Sequence, residues 1–212
     1  MLLKGNGQEN LKKRYKFIYL ISPNKINYNF YKDLKRIFET KKIKYFQLRL
    51  KKLSSKKIIK IANKTKKICK SYKVKFIIND NPLIARKVGA DGCHLGQTDI
   101  GINEARKVIK NKIIGVTCHN SKSLAKIAVQ NKADYLAFGS FNKSKLKPNA
   151  KKANLNILKW AKRNIKKPII AIGGINNSNY KKFIKSGAKY IAISSYIWDN
   201  PKLKPEIAIR KF

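Results

Sequence analysis

One stretch of the chain alternates cationic and apolar residues in a way that suits a diphosphate ligand. Gln47, Arg49 and Lys51 occupy every second position, so a β-strand would place their side chains on one face. Asp80 follows shortly after an apolar run, and Asp99 stands further along the chain. Proteins commonly hold Mg²⁺ with one or two carboxylates, and substrate phosphates and water complete its coordination. These residues therefore predict a site for Mg²⁺ and a diphosphate, with Asp80 and Asp99 as metal ligands.

Each of these residues also has an ordinary structural interpretation. Asp80 can be a turn residue, Asp99 can cap a helix, and the polar strand face can belong to a solvent-exposed edge. The combination favours the functional interpretation, because cations that point into a covered interior require an anion.

A second set of residues suits a monophosphate. Gly173 and Gly174 follow an apolar run, and Ser194 and Ser195 end another. Glycines let backbone N–H groups approach an anion, and a helix that begins there adds its dipole. Thr117 closes a third run, where its hydroxyl can donate to a phosphate or belong to an ordinary strand threonine.

A basic segment covers residues 139–148 and contains Ser144 and Lys147. These residue types suit a lid that closes over a phosphate. The same composition also fits a plain surface loop.

The elements that must position these side chains form a repeating pattern. Short β-rich runs alternate with helical patterns, which predicts a single (β/α)8 TIM barrel, an α/β fold whose chemistry lies at the carboxyl ends of its strands. A doubly wound open sheet is the alternative, because alternation does not by itself prove closure. The β-rich runs are 17–21, 45–50, 75–78, 92–95, 113–117, 135–138, 169–172 and 190–193, and the clearest helical patterns are 54–72, 103–110, 121–131, 155–163, 177–186 and a closing segment within 201–212.

Local signals mark some helix ends. Ser54 and Ser121 are candidate N-caps, and Gly89 and Gly187 fall where helices end. Residues 1–14 form an N-terminal extension, and residues 15–212 form the barrel domain. No apolar run approaches the roughly 20 residues of a membrane span, and the start of the chain lacks a signal peptide. We therefore expect a soluble cytoplasmic protein.

The cysteines do not suggest a metal centre. Cys93 and His94 are neighbours, as are Cys118 and His119, and adjacent strand residues point to opposite faces. We expect these residues and Cys69 to be buried.

The charge is extreme, with 51 Lys and Arg against 10 Asp and Glu and a net charge of +41. The lysines are spread along the chain, which predicts a solvated coat rather than a specific nucleic-acid or membrane surface. Such a field attracts polyphosphate substrates and binds nucleic acid non-specifically at low salt. Four of the scarce acids, Asp80, Asp91, Asp99 and Asp134, stand at or beside strand ends.

The motifs, in this order and spacing, resemble those of the thiamine-phosphate synthase family. The resemblance runs from about residue 17 to residue 197. Its motifs are Gln47-Leu48-Arg49-x-Lys51, Ile77-Ile78-Asn79-Asp80, Ala90-Asp91-Gly92-x-His94-Leu95-Gly96-Gln97-x-Asp99, Gly115-Val116-Thr117, Ala133-Asp134-Tyr135 and Ala171-Ile172-Gly173-Gly174-Ile175.

The resemblance implies a transferase that joins a pyrimidine diphosphate to a thiazole phosphate, with Mg²⁺ as cofactor. It implies that Asp80 and Asp99 bind the metal and that Gln47 lines the pyrimidine pocket. It also implies a pyrophosphate set and a thiazole-phosphate set. The pyrophosphate set comprises Arg49, Lys51, Asn79, Thr117 and Lys147. All of these except Asn79 are also implied to be catalytic. The thiazole-phosphate set comprises Gly174, Ser194 and Ser195, with Ser144 nearby.

The sequence also departs from the family pattern. Leu50 replaces an acid, Thr117 replaces a serine, and the usual threonine-rich lid motif is absent between Lys143 and Lys147. Three alternatives stay open: a thiazole tautomerase that uses His119, an inactive barrel, and a basic nucleic-acid-binding protein. The tautomerase does not need the diphosphate and metal residues, and oligomeric state stays undetermined.

Overall fold

A computed structural model describes residues 16–142 and 152–212, and their strands close into a parallel barrel. Each strand pairs with the next, and the last pairs with the first. This confirms the (β/α)8 barrel over the open sheet. The strands are β1 (Ile18–Ile21), β2 (Ile43–Leu48), β3 (Lys75–Asn79), β4 (Gly92–Leu95), β5 (Ile113–His119), β6 (Tyr135–Phe138), β7 (Ile169–Ile172) and β8 (Tyr190–Ile193).

Helices surround the barrel and follow its strands in turn. They are α1 (Phe30–Glu39), α2 (Ser55–Ser71), α3 (Pro82–Val88), α4 (Ile102–Ile109), α5 (Lys122–Gln130), α6 (Leu155–Asn164), α7 (Tyr180–Lys185), α8 (Ser195–Trp198) and α9 (Pro205–Arg210). In the part of the chain that the structure describes, no helix has the length and apolar character needed to cross a bilayer.

The hydrophobic residues form two separate cores. The larger core lies between the barrel and its helices, and α1 contributes Phe30, Leu34, Ile37 and Phe38 to it. Their helical spacing puts them on one face, and each such burial stabilises the fold by about 1.5–3 kcal/mol. The smaller core fills the barrel itself. It comprises Tyr19, Ile21, Tyr45, Ile77, Tyr135, Ala137, Ile170, Tyr190 and Ala192.

The cysteine–histidine pairs show the strand alternation. Cys93 packs in the outer core, whereas His94 hydrogen-bonds to Tyr135 of the inner core. This confirms that the two neighbours point to opposite faces. Cys69, Cys93 and Cys118 are all buried free thiols, and burial raises the pKa of each of them.

Helix ends follow local chemistry. Ser121 caps α5 because its Oγ accepts the Leu124 N–H at 3.2 Å, and Gly89 ends α3 with a left-handed φ of 62°. Ser54 precedes α2 as predicted, but its side chain makes no capping hydrogen bond. Asn81 caps α3, a role that the sequence pattern did not indicate.

Several boundaries differ from those predicted. Strand β2 begins at Ile43 and ends at Leu48, because the chain turns at Lys51. Arg49 and Lys51 therefore follow the strand and do not continue its alternating face. Helices α1 and α8 were not identified from the sequence pattern, and α8 is too short to show a clear helical period. For α3, Gly89 had marked the end of a helix without giving its bounds. The N-terminal extension, residues 1–14, lies outside the described residues.

Candidate active site

The carboxyl ends of β2 and β3 bring together the pyrimidine and diphosphate candidates. Gln47 is buried, and its side-chain Nε2 donates to the side-chain Oδ1 of Asn79 at 2.6 Å. The two residues end neighbouring strands, where Gln47 is in register with Ile77. The residue predicted for the pyrimidine pocket and one of those predicted for the pyrophosphate are thus in direct contact.

The cations next to these residues face Asp80. The Lys51 Nζ lies 3.0 Å from the Asp80 Oδ2. Burial lowers the pKa of the Arg49 guanidinium, and the negative charge of Asp80 opposes that shift. Asp80 has a φ of 62°, a left-handed conformation that aspartate adopts more readily than most residues. Asp80 is therefore a turn residue whose carboxylate also lies beside the cations Lys51 and Arg49.

Asp99 completes a pair of carboxylates with Asp80. Its Oδ2 accepts the Gly96 N–H at 2.6 Å, which fixes the carboxylate above β4. Burial raises the pKa of the Asp99 carboxyl, the Gly96 N–H opposes this shift, and the hydrogen bond and charge of Asp80 raise the pKa further. Asp99 is not a helix N-cap, since α4 begins at Ile102 after Gly101.

This pair tests whether the residues fit Mg²⁺. Two carboxylates in contact repel each other when both are charged, and a divalent cation with hard oxygen ligands removes that repulsion. Within residues 16–142 and 152–212, no cluster of three His, Cys, Asp or Glu side chains exists. The Asp80–Asp99 pair therefore fits a metal that takes its remaining ligands from phosphate and water.

Thr117 belongs to a hydrogen-bonded chain that was not anticipated. His94 is held between two hydroxyls, with Nδ1 2.9 Å from the Tyr135 hydroxyl and Nε2 2.9 Å from the Thr117 Oγ1. Tyr135 in turn hydrogen-bonds to the Tyr19 hydroxyl at 2.8 Å. Gln97 donates to the Thr117 carbonyl and holds the loop after β4 against β5. The alternation of strand residues could indicate that Tyr19, His94 and Tyr135 point into the barrel. Alternation does not show which strands face one another across the barrel.

The residues predicted to bind a monophosphate lie at the ends of β7 and β8. Gly173 and Gly174 have φ values of 111° and 56°, and a Cβ on Gly173 would lie 2.1 Å from the Ser140 Oγ. Asn142 donates to the carbonyl oxygens of both glycines at 3.2 Å. Since a trans peptide directs its N–H opposite its carbonyl, the Gly174 N–H points away from Asn142.

Ser194 and Ser195 differ in their surroundings. The Ser194 hydroxyl donates to the Ser22 carbonyl at 3.1 Å, and the Ser22 Oγ accepts the Arg49 N–H at 2.9 Å. This ties the ends of β8, β1 and β2 together. Ser195 opens α8, so Ser194 is a structural link and Ser195 is the better hydroxyl candidate for a ligand.

Two other acids near strand ends lie away from this region. Asp91 precedes β4 and accepts the Phe76 N–H at 2.9 Å, while Asp134 precedes β6 and accepts the Ile114 N–H at 2.8 Å. They also pair with Lys75 and Arg106. Both therefore close the amino-terminal end of the barrel and are not site residues.

Some predicted residues cannot be placed. Ser144 and Lys147, together with Lys143, lie outside the described residues. His119 ends β5 beside a register irregularity, with a φ of 51°.

Comparison with known proteins supports one assignment of this constellation. Residues 18–197 match the family model for thiamine monophosphate synthase. The chain is 57% identical to a thiamine-phosphate synthase from Pelagibacter ubique, over 92% of this chain and 95% of the relative. It is 37% identical to another from Erythrobacter litoralis, over 85% and 87%. The solved thiamine phosphate pyrophosphorylase from Pyrococcus furiosus superposes with a TM-score of 0.82 at 26% identity, over 93% of this chain and 94% of that one.

Proposed function

The chain belongs to the thiamine monophosphate synthase family, and on that premise we propose how its barrel mouth performs the synthase reaction. It is a transferase that acts on small molecules. The reaction joins 4-amino-5-hydroxymethyl-2-methylpyrimidine diphosphate to 4-methyl-5-(2-phosphoethyl)thiazole and releases pyrophosphate. The observation that carries the proposal is the cluster at the ends of β2, β3 and β4, where Arg49 and Lys51 adjoin Asp80 and Asp99.

We assign the diphosphate to this cluster on charge grounds. Arg49 and Lys51 are cations beside Asp80, and Thr117 adds a hydroxyl from the end of β5. Asn79 supplies an amide whose carbonyl oxygen is already occupied by Gln47, so its N–H₂ group is the part available to a phosphate oxygen. Lys147, from the segment outside the described residues, would add a further cation.

Asp80 and Asp99 would hold Mg²⁺, as their contact and hard oxygen atoms suit that ion. When bound, the metal would supply neutralisation of the diphosphate charge and so make it a better leaving group. Lys51 also pairs with Asp80, its Nζ lying 3.0 Å from the Asp80 Oδ2.

The chain's own residues have few proton transfers to perform. The C–O bond to the diphosphate breaks with both electrons leaving on oxygen, and the electron-rich aminopyrimidine supports the methylene cation that remains. The thiazole nitrogen then donates its lone pair to that carbon. Arg49, Lys51 and Thr117 stabilise the charge that develops on the leaving group. Neither a general base nor a covalent nucleophile is required for this sequence.

The thiazole must be bound with its nitrogen towards the pyrimidine. Gln47 would orient the pyrimidine, while the Gly174 backbone and the Ser195 hydroxyl would hold the thiazole phosphate, with Ser144 nearby. These two regions lie at the ends of β2 and of β7 and β8, in one closed barrel. A binding mode of this kind gives the reacting atoms a fixed approach.

We also propose a cytoplasmic location, which the three free buried thiols support. The tautomerase alternative has no need of the Arg49, Asp80 and Asp99 cluster, and the matched relatives carry the synthase name.

Replacement of the paired carboxylates tests the proposal. Asp80→Asn and Asp99→Asn should each lower the rate of thiamine phosphate formation by about a hundredfold or more, because Lewis-acid stabilisation is worth several kcal/mol. Asp91→Asn is the matched control at the amino-terminal end of the barrel, where the carboxylate accepts a backbone N–H. It should lower the melting temperature and leave the rate of the folded enzyme near normal. Near-normal rates for both mouth variants would refute the metal assignment.

A further inference from the structure

A chain of four side chains crosses the interior of the barrel. Tyr19, Tyr135 and His94 are 2%, 1% and 8% exposed, and hydrogen bonds of 2.8–2.9 Å link them in order and end on Thr117. They come from β1, β6, β4 and β5. The chain therefore runs from the interior of the barrel to Thr117, which the proposed function assigns to the diphosphate.

The protons in this chain can be ordered in two directions. In the outward order, Tyr19 donates to Tyr135, Tyr135 donates to the His94 Nδ1, and the His94 Nε2–H donates to Thr117. In the inward order, Thr117 donates to His94 and each later bond is reversed. Burial raises the pKa of both tyrosines, so each phenol keeps its proton and can donate it.

The surroundings favour the outward order. In that order the Tyr19 proton lies in the bond to Tyr135. In the inward order this proton must leave that bond at a buried position, and in the part of the chain that the structure describes the Tyr19 hydroxyl has no side-chain hydrogen bond other than the one to Tyr135, so the donor would be unpaired at a cost. The inward order would also leave Thr117 presenting only lone pairs to an anion.

We propose that Tyr135 is a positioning residue that fixes His94 as the Nε2–H tautomer and thereby turns the Thr117 hydroxyl proton towards the diphosphate. This role rests on the proposed placement of the diphosphate at Thr117. Tyr135 and His94 act through Thr117. The effect is one of orientation, and no proton has to move along the chain during the reaction.

The tautomer itself can be measured without turnover. We would record ¹⁵N spectra of histidine-labelled protein with Mg²⁺ and inorganic pyrophosphate as the probe ligand. The sequence has two histidines, so His119→Gln assigns the remaining signals to His94. The proposal expects an unprotonated Nδ1 and a protonated Nε2 for His94. A protonated Nδ1 with an unprotonated Nε2 would overturn it.

A double-mutant cycle tests whether Tyr135 acts through Thr117. Tyr135→Phe keeps the ring and removes the hydroxyl, and it should lower kcat about tenfold or somewhat more, the effect of losing one oriented hydrogen bond to an anion. The KM for the thiazole phosphate should stay unchanged. In a Thr117→Val background, Tyr135→Phe should cause little further loss, whereas a full additional loss would show that Tyr135 acts elsewhere.

Tyr45→Phe is the matched control. It also removes a phenol hydroxyl from the barrel interior, but that hydroxyl is bonded to Tyr190. It should leave kcat and the His94 tautomer unchanged, and a loss equal to that of Tyr135→Phe would refute a specific role. A wild-type protein without turnover would contradict the proposed function, while the tautomer measurement would still decide the proton order.

Discussion

At the scale of single residues, Asp80 carries several roles in one place. It follows β3 in a left-handed conformation, pairs with Lys51 at 3.0 Å and lies against Asp99. Asp99 is fixed separately by the Gly96 N–H. The two carboxylates are thus preorganised by independent contacts, which is what an oxygen-ligand metal site needs.

Arg49 and Ser195 are expected to affect different kinetic constants. Arg49→Ala should lower kcat by about a hundredfold, because it removes charge stabilisation at the leaving group. The KM for the thiazole phosphate should change little. Ser195→Ala should raise that KM and leave kcat nearly unaffected.

Steady-state kinetics with each substrate varied in turn would check this separation. Arg163→Ala, an exposed cation at the end of α6, is the control for loss of positive charge. An Arg49 effect confined to the thiazole KM, or an unchanged thiazole KM in Ser195→Ala, would contradict the respective placement.

At the scale of elements, two serines that precede helices can be compared to measure how much an N-cap hydrogen bond stabilises the barrel. Ser121 caps α5 through its hydroxyl, whereas Ser54 precedes α2 without such a bond. Ser121→Ala should therefore reduce the free energy of unfolding by about 1 kcal/mol. Ser54→Ala, the same chemical change at an equivalent position, should have a much smaller effect. Chemical denaturation of both variants would measure this, and equal losses would show that the hydroxyl bond is not responsible.

The strands were the most predictable elements. Four of them, β4, β6, β7 and β8, have the bounds that the apolar runs indicated, because a covered parallel strand is a short continuous run of apolar residues. β2 was misplaced because its alternation continues into the following loop, where Leu50 is still buried. An alternation of polar and apolar residues shows only that one side of the backbone is buried. A loop that packs on the barrel can produce the same alternation as a strand.

The sequence was enough to predict which residues gather at the candidate site, but not which hydrogen bonds link them. Residue type and position at or just after a strand end were enough to predict that Gln47, Asn79, Asp80 and Asp99 lie at the same end of the barrel. They were not enough to place Asp91 and Asp134 at the opposite end, since a residue beside a short strand can lie at either end. The His94 contacts depend on which strands face each other across the barrel, and that follows from closure and register rather than from local sequence.

At the scale of the whole molecule, charge and catalysis are linked. The chain carries a net charge of +41, and Asp91, Asp134 and Glu206 are already paired with cations. The resulting field extends into solvent and attracts both phosphorylated substrates. Such steering increases association rates and weakens as salt screens the charges.

We therefore expect kcat/KM for the pyrimidine diphosphate to fall by about tenfold or more between about 20 mM and about 300 mM salt. The value of kcat at saturating substrate is the internal control and should change far less, because bound substrate no longer depends on diffusion. Equal salt dependence of the two constants, or none in kcat/KM, would contradict electrostatic steering.

In the proposed reaction this barrel mouth joins two heterocycles and releases pyrophosphate, and Asp80 and Asp99 would hold the Mg²⁺ that neutralises the leaving group. The most direct measurement follows thiamine phosphate and pyrophosphate together after the purified protein, Mg²⁺ and both substrates are mixed. We expect the two products to form in equal amounts and EDTA to abolish both until Mg²⁺ is restored. Product formation that persists in EDTA, or no product from a folded protein, would contradict it.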